Sequence, residues 1–279
     1  MRVLVTGAGG FLAGALAVRL RAAGHQVRGT SSSSERAQAG GWAVLRFGDP
    51  VSPALLEGVE VVVHAAHDLA HGAGPATVAG TIAIAEAARS AGVGHQVLVS
   101  SFSAHAGAVT EYGRAKLALE AWFLPRGQAV VRPGLVIGRG GMFARMVEVV
   151  RRNRVVPVVY PSGRMAVVGE RDCLACLVHA VESRPGALIG AWREQRTSMA
   201  ELLGATRRAL RARTLLVPVP YALALAGARA AEGLGIRAPL GSDSLRAMRA
   251  NAAVADPGTL GQIVARPLGL EEMIADAIH

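Results

Sequence analysis

Short apolar segments alternate with helical segments along much of the chain. Runs rich in valine and leucine, bounded by glycine or polar residues, are typical of buried parallel strands. They occupy residues 2–6, 26–30, 42–47, 60–66, 97–99 and 130–138. The segments between them have helical composition, the clearest being 11–20, 76–90 and a helix that begins at Glu111. Strands and helices that alternate over short turns predict an α/β fold with a doubly wound parallel sheet.

The pattern changes in the C-terminal third. After a further predicted strand at 187–192, Thr197, Ser198 and Glu201 have the spacing of a helix capping box. The helical segments that follow are interrupted by Pro218, Pro220, Pro239 and Pro257.

We therefore expect two domains. The sheet domain covers residues 1–138, and a strand and helix around 165–192 return to it. Residues 139–279 form mainly a smaller C-terminal cap, which we expect to bind the substrate.

A glycine-rich turn follows the first strand. Gly7, Gly10 and Ala13 fill a G-x-x-G-x-x-G/A spacing, and Gly9 adds to the turn. Glycines permit a tight turn and a close approach of backbone N–H groups to a phosphate, and the following helix N-terminus favours negative charge. The turn therefore predicts a dinucleotide site, although a turn that only reverses the chain has the same composition.

The residues after the second strand bear on which dinucleotide binds. An acidic residue there takes the ribose hydroxyl of NAD, whereas arginine accommodates a 2′-phosphate. Here four serines that include Ser31 and Ser32 precede Glu35 and Arg36. The hydroxyls and Arg36 predict a preference for NADP(H), with NAD(H) as an alternative. A serine loop without contacts is the other interpretation.

Two further strand ends are candidates to lie against the dinucleotide. Asp49 follows the third strand, where its carboxylate either accepts from the adenine amino group or shapes the turn before Pro50. Ala65 and Ala66 end the fourth strand, and their small side chains leave room for the cofactor.

Three histidines follow in one short segment. His64, His67 and His71 invite a metal interpretation, but Gly72 and Gly74 interrupt the segment, so that no regular face presents all three. We expect no metal, and interpret His67 and His71 as loop residues that contact a substrate.

Tyr112 and Lys116 form the strongest catalytic candidate. Spaced four apart on a helix, they share one face. A nearby ammonium favours the phenolate, which brings a tyrosine closer to acid/base work at neutral pH. Lys116 is the only lysine in a chain with 30 basic residues, and its compact charge differs from that of arginine. A serine at the end of the fifth strand can hold the substrate oxygen against the phenol.

These segments resemble the extended short-chain dehydrogenase/reductases, a group that includes the NAD-dependent epimerase/dehydratases. The resemblance rests on the turn from Thr6 to Ala13, His64–Ala66, the serines after the fifth strand, the motif Tyr112–Lys116, and the segments 130–138 and 167–172. It implies a Rossmann fold.

The same resemblance implies roles for single residues. Tyr112 is the acid/base, Lys116 binds the nicotinamide ribose and lowers the pKa of Tyr112, and Ser101, with Ser103 as the alternative, is the hydroxyl partner. Phe11, Leu12 and Pro133 complete the cofactor contacts. The sequence departs from the pattern at Ala13, which replaces the third glycine, and at Thr77, which replaces a common asparagine.

The charge of +10 comes from arginines spread along the chain, with few aromatic residues, and this distribution disfavours nucleic-acid binding.

A few arginines are weaker candidates to bind an anionic substrate, or they lie on a solvated surface. They are Arg139 and, after the next helix, Arg151, Arg152 and Arg154. The longest apolar stretch, 214–228, contains two prolines and is too short to span a bilayer, which leaves contact with a membrane surface as a minor alternative.

We expect Cys173 and Cys176 to pack as small buried residues without a disulfide, which suits a reducing cytoplasm. Because Arg2 leads directly into a strand, we also expect no signal peptide.

The sequence thus predicts an NADP(H)-preferring oxidoreductase that acts on a small organic substrate. The alternatives are a sugar-nucleotide epimerase or dehydratase with retained NAD, and a non-catalytic NADP(H)-binding sensor or assembly protein. We expect a homodimer through the helices at 76–90 and 112–124, because the first is apolar nearly all round.

Overall fold

The computed structural model describes residues 1–68, 70–235 and 241–278, so Pro239 lies outside the described residues. The strands are β1 (Arg2–Thr6), β2 (Gln26–Ser31), β3 (Ala43–Val44), β4 (Val61–His64), β5 (His95–Val99), β6 (Ala129–Pro133), β7 (Leu135–Ile137), β8 (Val155–Val159), β9 (Arg164–Met165), β10 (Val167–Gly169), β11 (Leu188–Ala191), β12 (Thr197–Ser198) and β13 (Leu215–Val219).

The helices are α1 (Phe11–Ala22), α2 (Ser34–Gly40), α3 (Pro53–Leu56), α4 (Gly74–Ser90), α5 (Glu111–Phe123), α6 (Gly141–Arg152), α7 (Glu170–Ser183), α8 (Met199–Ala209), α9 (Tyr221–Gly233), α10 (Ser242–Ala252), α11 (Leu260–Ile263) and α12 (Leu270–Ile278). A short 3₁₀ helix, Leu124–Arg126, follows α5. Within the described ranges no helix combines the length and the apolar character that crossing a membrane requires.

Seven parallel strands form the central sheet, in the order β11-β6-β5-β4-β1-β2-β3. The apolar runs are buried on both faces: Val3 and Val5 pack in the core on the side of α1 and α7, while Leu4 and Val62 pack on the other side. This confirms the predicted doubly wound α/β fold. The strand order reverses between β1 and β4, so the carboxyl ends of these strands border a crevice.

Two predicted strands differ most from the structure, and β4 also ends at His64, before Ala65 and Ala66. The edge strand β3 is only two residues long, whereas 42–47 was expected. The run 130–138 divides at Gly134, after which β7 leaves the central sheet and pairs with β10. A Cβ at Gly134 would lie 2.7 Å from the Ala166 carbonyl oxygen, so the close approach of this segment requires glycine.

The C-terminal residues build a second layer of elements beside the sheet. β8 pairs with β13 in parallel and packs on α6 and α8, while β11 returns to the sheet beside β6. The capping box at the start of α8 is confirmed, since the Ser198 hydroxyl accepts from the Glu201 N–H at 3.1 Å and the Glu201 carboxylate accepts from the Ser198 N–H at 2.7 Å.

The two cysteines lie in α7 and are fully buried in the main core. Burial raises the pKa of both thiols, which keeps them neutral. They pack as small apolar residues, as the sequence predicts.

Candidate active site

The glycine turn forms a cradle at the carboxyl ends of three strands. Gly7 has a φ of +71°, and a Cβ there would lie 2.8 Å from the Ala66 Cα. A Cβ at Gly9 would lie 2.7 Å from the Ser31 hydroxyl oxygen. The Gly10 N–H donates to the Gly7 carbonyl at 2.8 Å, which closes the turn. Side chains are thus excluded where the backbone of a dinucleotide-binding turn must stay open, and the residues present fit this group.

The end of β4 is tied directly to this turn. The Thr6 hydroxyl accepts from the N–H groups of Ala65 and Ala66 at 3.1 and 3.2 Å. Ala65 and Ala66 therefore line the crevice beside Gly7, where the sequence placed them.

Phe11 and Leu12 begin the helix after the turn, and their side chains pack against different parts of the structure. Leu12 packs against the main core, whereas Phe11 packs against the loop after β7, since a Cβ at Gly138 would lie 2.8 Å from its ring. Phe11 therefore joins the glycine turn to the C-terminal elements.

The serines after β2 lie beside the glycine turn. Ser31 is buried, and its hydroxyl accepts from the Ser33 N–H at 3.2 Å, while Ser32 and Arg36 are exposed. Arg46 Nη2 donates to the Ser34 hydroxyl at 3.3 Å. Arg46 was not among the predicted site residues, although its position after the third strand, which neighbours the second, was a signal for it.

Asp49 shapes its own turn in this structure. Its carboxylate accepts from the Arg46 N–H at 3.0 Å, and the side chain is exposed. Of the two interpretations of Asp49, the structure shows the turn contact. Arg46 and Asp49 therefore belong to the same turn.

Lys116 and Tyr112 lie on the face of α5 that packs on the end of β5. Lys116 is 3% exposed, and its Nζ donates to the Val99 carbonyl at 2.8 Å and lies 5.9 Å from the centre of the Tyr112 ring. Burial lowers the pKa of Lys116 to about 8, although Glu120 acts in the opposite direction. The helix begins with the Thr110 hydroxyl, which accepts from the Gly113 N–H at 3.2 Å.

The pKa of Tyr112 differs from the sequence expectation. Burial raises the pKa of this phenol, and a hydrogen bond with Ser101 acts in the opposite direction. The lysine was expected to lower it, but the loss of solvent around the ring dominates here, and the Lys116 ammonium donates to a backbone carbonyl instead. In this structure Tyr112 is therefore a neutral phenol that can donate a proton.

The two candidate serines have different partners. Ser101 contacts Tyr112, and its hydroxyl also accepts from the Ser103 N–H at 3.2 Å. The Ser103 hydroxyl accepts from Asn251 Nδ2 at 3.0 Å. This geometry favours Ser101 as the hydroxyl partner and gives Ser103 a role in holding the loop to α10.

Only one of the three histidines stands against the candidate pair. The His67 ring meets the Tyr112 ring edge-on, with 4.7 Å between the ring centres. Its Nδ1 is buried and has no hydrogen-bond partner in the described part of the chain, and burial lowers the pKa of His67 to about 4. A neutral imidazole with an unpartnered nitrogen thus lies against the Tyr112 ring.

His64 and His71 lie elsewhere. His64 is buried beneath the site, where Nε2 bonds Gln96 Oε1 at 2.7 Å and the ring packs against Phe123. His71 is exposed, in a segment held by Glu111, whose carboxylate accepts from the Gly72 and Gly74 N–H groups at 3.0 and 2.7 Å. Across the described ranges, no three His, Cys, Asp or Glu side chains are grouped so as to hold a metal ion.

Arg139 and Pro133 complete the predicted set. Pro133 ends β6, and its carbonyl accepts from the Phe102 N–H at 2.8 Å, so it lies beside the loop that carries Ser101. Arg139 donates from Nε to the Asp276 carbonyl at 3.3 Å and lines a groove of about 670 Å³ together with Arg19 and Arg171. Arg139 thus contacts the C-terminal helix α12.

A buried ion pair behind Lys116 was not foreseen. Arg132 donates to both carboxylate oxygens of Glu120, at 2.7 and 2.5 Å, and the Ser100 hydroxyl donates to the same carboxylate. Glu120 lies one helical turn after Lys116 and faces it, so this network supports the position of the only lysine. Its signal in the sequence was the i, i+4 spacing of the two residues.

Comparison with known proteins gives a family match for the N-terminal part of the chain. Residues 3–126 match the model of the NAD dependent epimerase/dehydratase family. No match was found among curated proteins.

Several solved structures share the fold. The crystal structure of gox2253 has a TM-score of 0.77 at 19% identity, covering 99% of this chain and 96% of that one. TunA, an NAD dependent NDP-hexosamine 5,6-dehydratase involved in tunicamycin biosynthesis, has a TM-score of 0.73 at 16% identity, covering 99% and 96%. The UDP-glucose 4-epimerase of Thermus thermophilus, in complex with NAD, has a TM-score of 0.66 at 20% identity, covering 91% and 100%.

The family match covers the glycine turn, β4, β5 and the Tyr112–Lys116 helix, and the shared fold extends over the C-terminal elements. The resemblance of residues 3–126 to the NAD dependent epimerase/dehydratase family is thereby confirmed, and the rest of the chain shares the fold of the solved structures.

Proposed function

We propose that this protein is an NADP(H)-preferring oxidoreductase that acts on a carbonyl or alcohol carbon of a small organic substrate. The observation that carries the proposal is the group Tyr112, Ser101 and His67, which meets at the crevice beside the glycine turn. The cofactor would be held by Gly7, Gly9, Gly10, Ala65 and Ala66, with Lys116 at the ribose beside the nicotinamide. When bound, the nicotinamide ring supplies or accepts the hydride at its C4.

Side chains of the protein would donate a proton and a hydrogen bond to the oxygen of the substrate. In the direction of reduction, the neutral phenol of Tyr112 donates its proton to the carbonyl oxygen, and Ser101 donates a hydrogen bond to the same oxygen. The resulting phenolate is stabilised by Lys116, whose pKa of about 8 leaves it mostly charged at neutral pH. His67, neutral and without a partner among the described residues, is suited to bond a second polar group of the substrate.

The preference for NADP(H) rests on the surface beside Gly9. The Ser31 hydroxyl and the Cβ of Arg36 lie beside Gly9, and the Arg46 guanidinium bonds the Ser34 hydroxyl. Guanidinium groups form strong charge-assisted bonds to phosphate. A 2′-phosphate at this position would therefore find two cationic partners, where an NAD-selective site carries a carboxylate.

Replacement of the phenol tests the catalytic part. We expect Tyr112→Phe to lower turnover by about 10²- to 10⁴-fold, because the proton donor is lost while the ring remains. NADPH consumption is followed with a panel of small aldehydes and ketones, and cofactor affinity by fluorescence titration, which should not change. Tyr221→Phe, in α9, is the matched control. Turnover that is near normal in Tyr112→Phe would reject the assignment.

Titration of NADPH and NADH tests the cofactor part. We expect tighter binding of NADPH, and we expect Arg36→Ala and Arg46→Ala each to weaken it about tenfold without affecting NADH, since about 1.4 kcal/mol corresponds to tenfold. Arg89→Ala, an exposed arginine on α4, is the control. A clear preference for NADH would contradict this part and leave the role of Tyr112 intact.

The likeness to TunA and to the Thermus epimerase favours a second candidate, a sugar-nucleotide epimerase or dehydratase that retains NAD. Conversion of UDP-glucose to UDP-galactose without net change of the cofactor would support it over the oxidoreductase. Tight NADPH binding with no turnover of carbonyl compounds or UDP-glucose would instead support the non-catalytic alternative. Cytoplasmic location and homodimer formation remain predictions from the sequence.

A further inference from the structure

The two-stranded sheet β8–β13 carries apolar side chains on both faces. In its register Leu215 pairs with Val155 and Val217 with Pro157, and paired residues of parallel strands point to the same side. These four residues face outward, with exposures of 58% for Leu215, 56% for Val155 and 37% for Val217. The alternate residue Val156 faces inward to α6 and α8. A strand with one solvated face ordinarily alternates apolar and polar residues, so this outer face lacks the expected polarity.

The helix α9 begins two residues after β13 and is itself largely exposed. Of the 13 residues of this helix, Ala228 alone is buried, and Leu223 is 66% exposed. Tyr221 and Leu225 pack at the far end of the sheet pair against Val159. We call the outward residues Val155, Pro157, Leu215 and Val217 the apolar face.

Arginines border the apolar face at one end. Arg154 directly precedes β8 and Arg213 lies two residues before β13, and because the strands are parallel both arginines meet at the same end. The Leu215 N–H donates to the Arg154 carbonyl at 2.8 Å, which ties the two strand starts together. The described residues offer Arg154, Arg211 and Arg213 no ion pair. Arg151 and Arg152, nearby on α6, share the carboxylate of Glu148.

This combination argues against two other occupants. A second copy on the same face would present only the same apolar residues and arginines, so that Arg154, Arg211 and Arg213 would gain no acidic partner. A partner strand would need free N–H donors at the edges, but Pro157 and Pro218 each remove one from the two edge strands. The face itself, rather than the strand edges, is therefore the surface of contact.

We propose that the apolar face and its arginines form a peripheral docking surface for an anionic lipid bilayer. The apolar side chains would enter the boundary between headgroups and acyl chains, and Arg154, Arg211 and Arg213 would contact lipid phosphates. The protein would lie on the bilayer, since no described helix can cross it. The site at Tyr112 plays no part in this contact.

Sedimentation with vesicles tests the proposal. The full-length protein should sediment with vesicles of phosphatidylcholine containing about one third phosphatidylglycerol, stay in solution with pure phosphatidylcholine, and dissociate at high salt. The double variant Leu215→Ser/Val217→Ser, and the double variant Arg154→Glu/Arg213→Glu, should each weaken binding by tenfold or more. Matched controls are Val18→Ser, a valine on α1 that is more exposed than either Leu215 or Val217, and Arg89→Glu on α4.

Circular dichroism and NADPH titration of each variant show that the fold and the cofactor site are retained. The proposal is overturned if the wild-type protein binds neither vesicle, or if the controls lower binding as much as the two double variants. Capture of an acidic protein by the wild type, lost in the arginine variant while vesicles fail to bind, would assign the surface to a protein partner instead. Each outcome is independent of turnover, so the proposed function can stand or fall separately.

Discussion

At the scale of single residues, burial determines the charge state of the histidine beneath the candidate site. His64 was one of three histidines in a short segment, and the structure places it in the core beside Phe123, with its Nδ1 unpartnered in the described part of the chain. Burial lowers the pKa of His64 from 6.5 to about 4, although the bond to Gln96 opposes this. His64 is therefore neutral in the folded protein over a range where an unfolded chain takes up a proton.

This depressed pKa predicts a loss of stability in acid. As the pH falls from 6.5 to about 4, the unfolded chain binds a proton at His64 that the folded chain does not, so the free energy of unfolding should drop by up to about 3 kcal/mol. Urea unfolding at several pH values measures it. In His64→Leu this part of the pH dependence should be absent, whereas exposed His71→Leu should keep it. An identical dependence in His64→Leu and the wild type would refute the assignment.

At the scale of elements, the C-terminal helix α10 holds the loop that carries the candidate serine. Asn251 donates to the Ser103 hydroxyl at 3.0 Å, and its carbonyl oxygen lies 2.9 Å from His105 Nε2. Val254, just after the helix, packs against Phe102 and Trp192, and Arg196 stacks over Phe102 with 4.6 Å to the ring centre. The position of Ser101 thus depends on residues far along the chain.

Removal of the Asn251 amide should loosen this loop. We expect Asn251→Ala to raise amide hydrogen exchange in residues 103–107 and to lower the free energy of unfolding by about 1–3 kcal/mol, because two partly buried partners lose their bonds. Asn153→Ala, which removes an exposed asparagine bonded to the Val149 carbonyl, should leave exchange in the loop unchanged. Equal exchange in Asn251→Ala and the wild type would show that the loop is held by other contacts.

At the scale of the whole molecule, α4 and α5 pack together and leave a surface of small residues. One face of α4 is buried, while Ala76, Ala79 and Ala83 are exposed, as are Ala118 and Ala121 of α5. The sequence suggested that such a helix is covered on more than one side. Small side chains allow two helix pairs to approach closely, which suits a symmetric interface.

We therefore predict a homodimer through this surface. Light scattering should give twice the chain mass, and Ala83→Arg should give the monomer, because a long charged side chain would lie within a close helix contact. Ala22→Arg, at an exposed end of α1, is the control and should remain dimeric. A monomeric wild type at micromolar concentration would contradict the prediction.

The sequence by itself determined the features that depend on residues close together in the chain. The doubly wound fold follows from apolar runs whose side chains must be buried on both faces, and the glycine turn from backbone that has no room for a Cβ at Gly7. The Tyr112–Lys116 pair follows from helical spacing, and the capping box at Ser198 from residues three apart. Each depends on distances that the local backbone alone sets.

The tertiary structure decided the features that depend on contacts between residues far apart in the chain. It joined the Ser103 hydroxyl to Asn251, and it brought Arg46 to the serines after β2. It turned His67 to the site and buried His64 beneath it. It also raised the pKa of Tyr112, since the loss of water around a side chain is a property of everything packed against it, which no spacing of residues reveals.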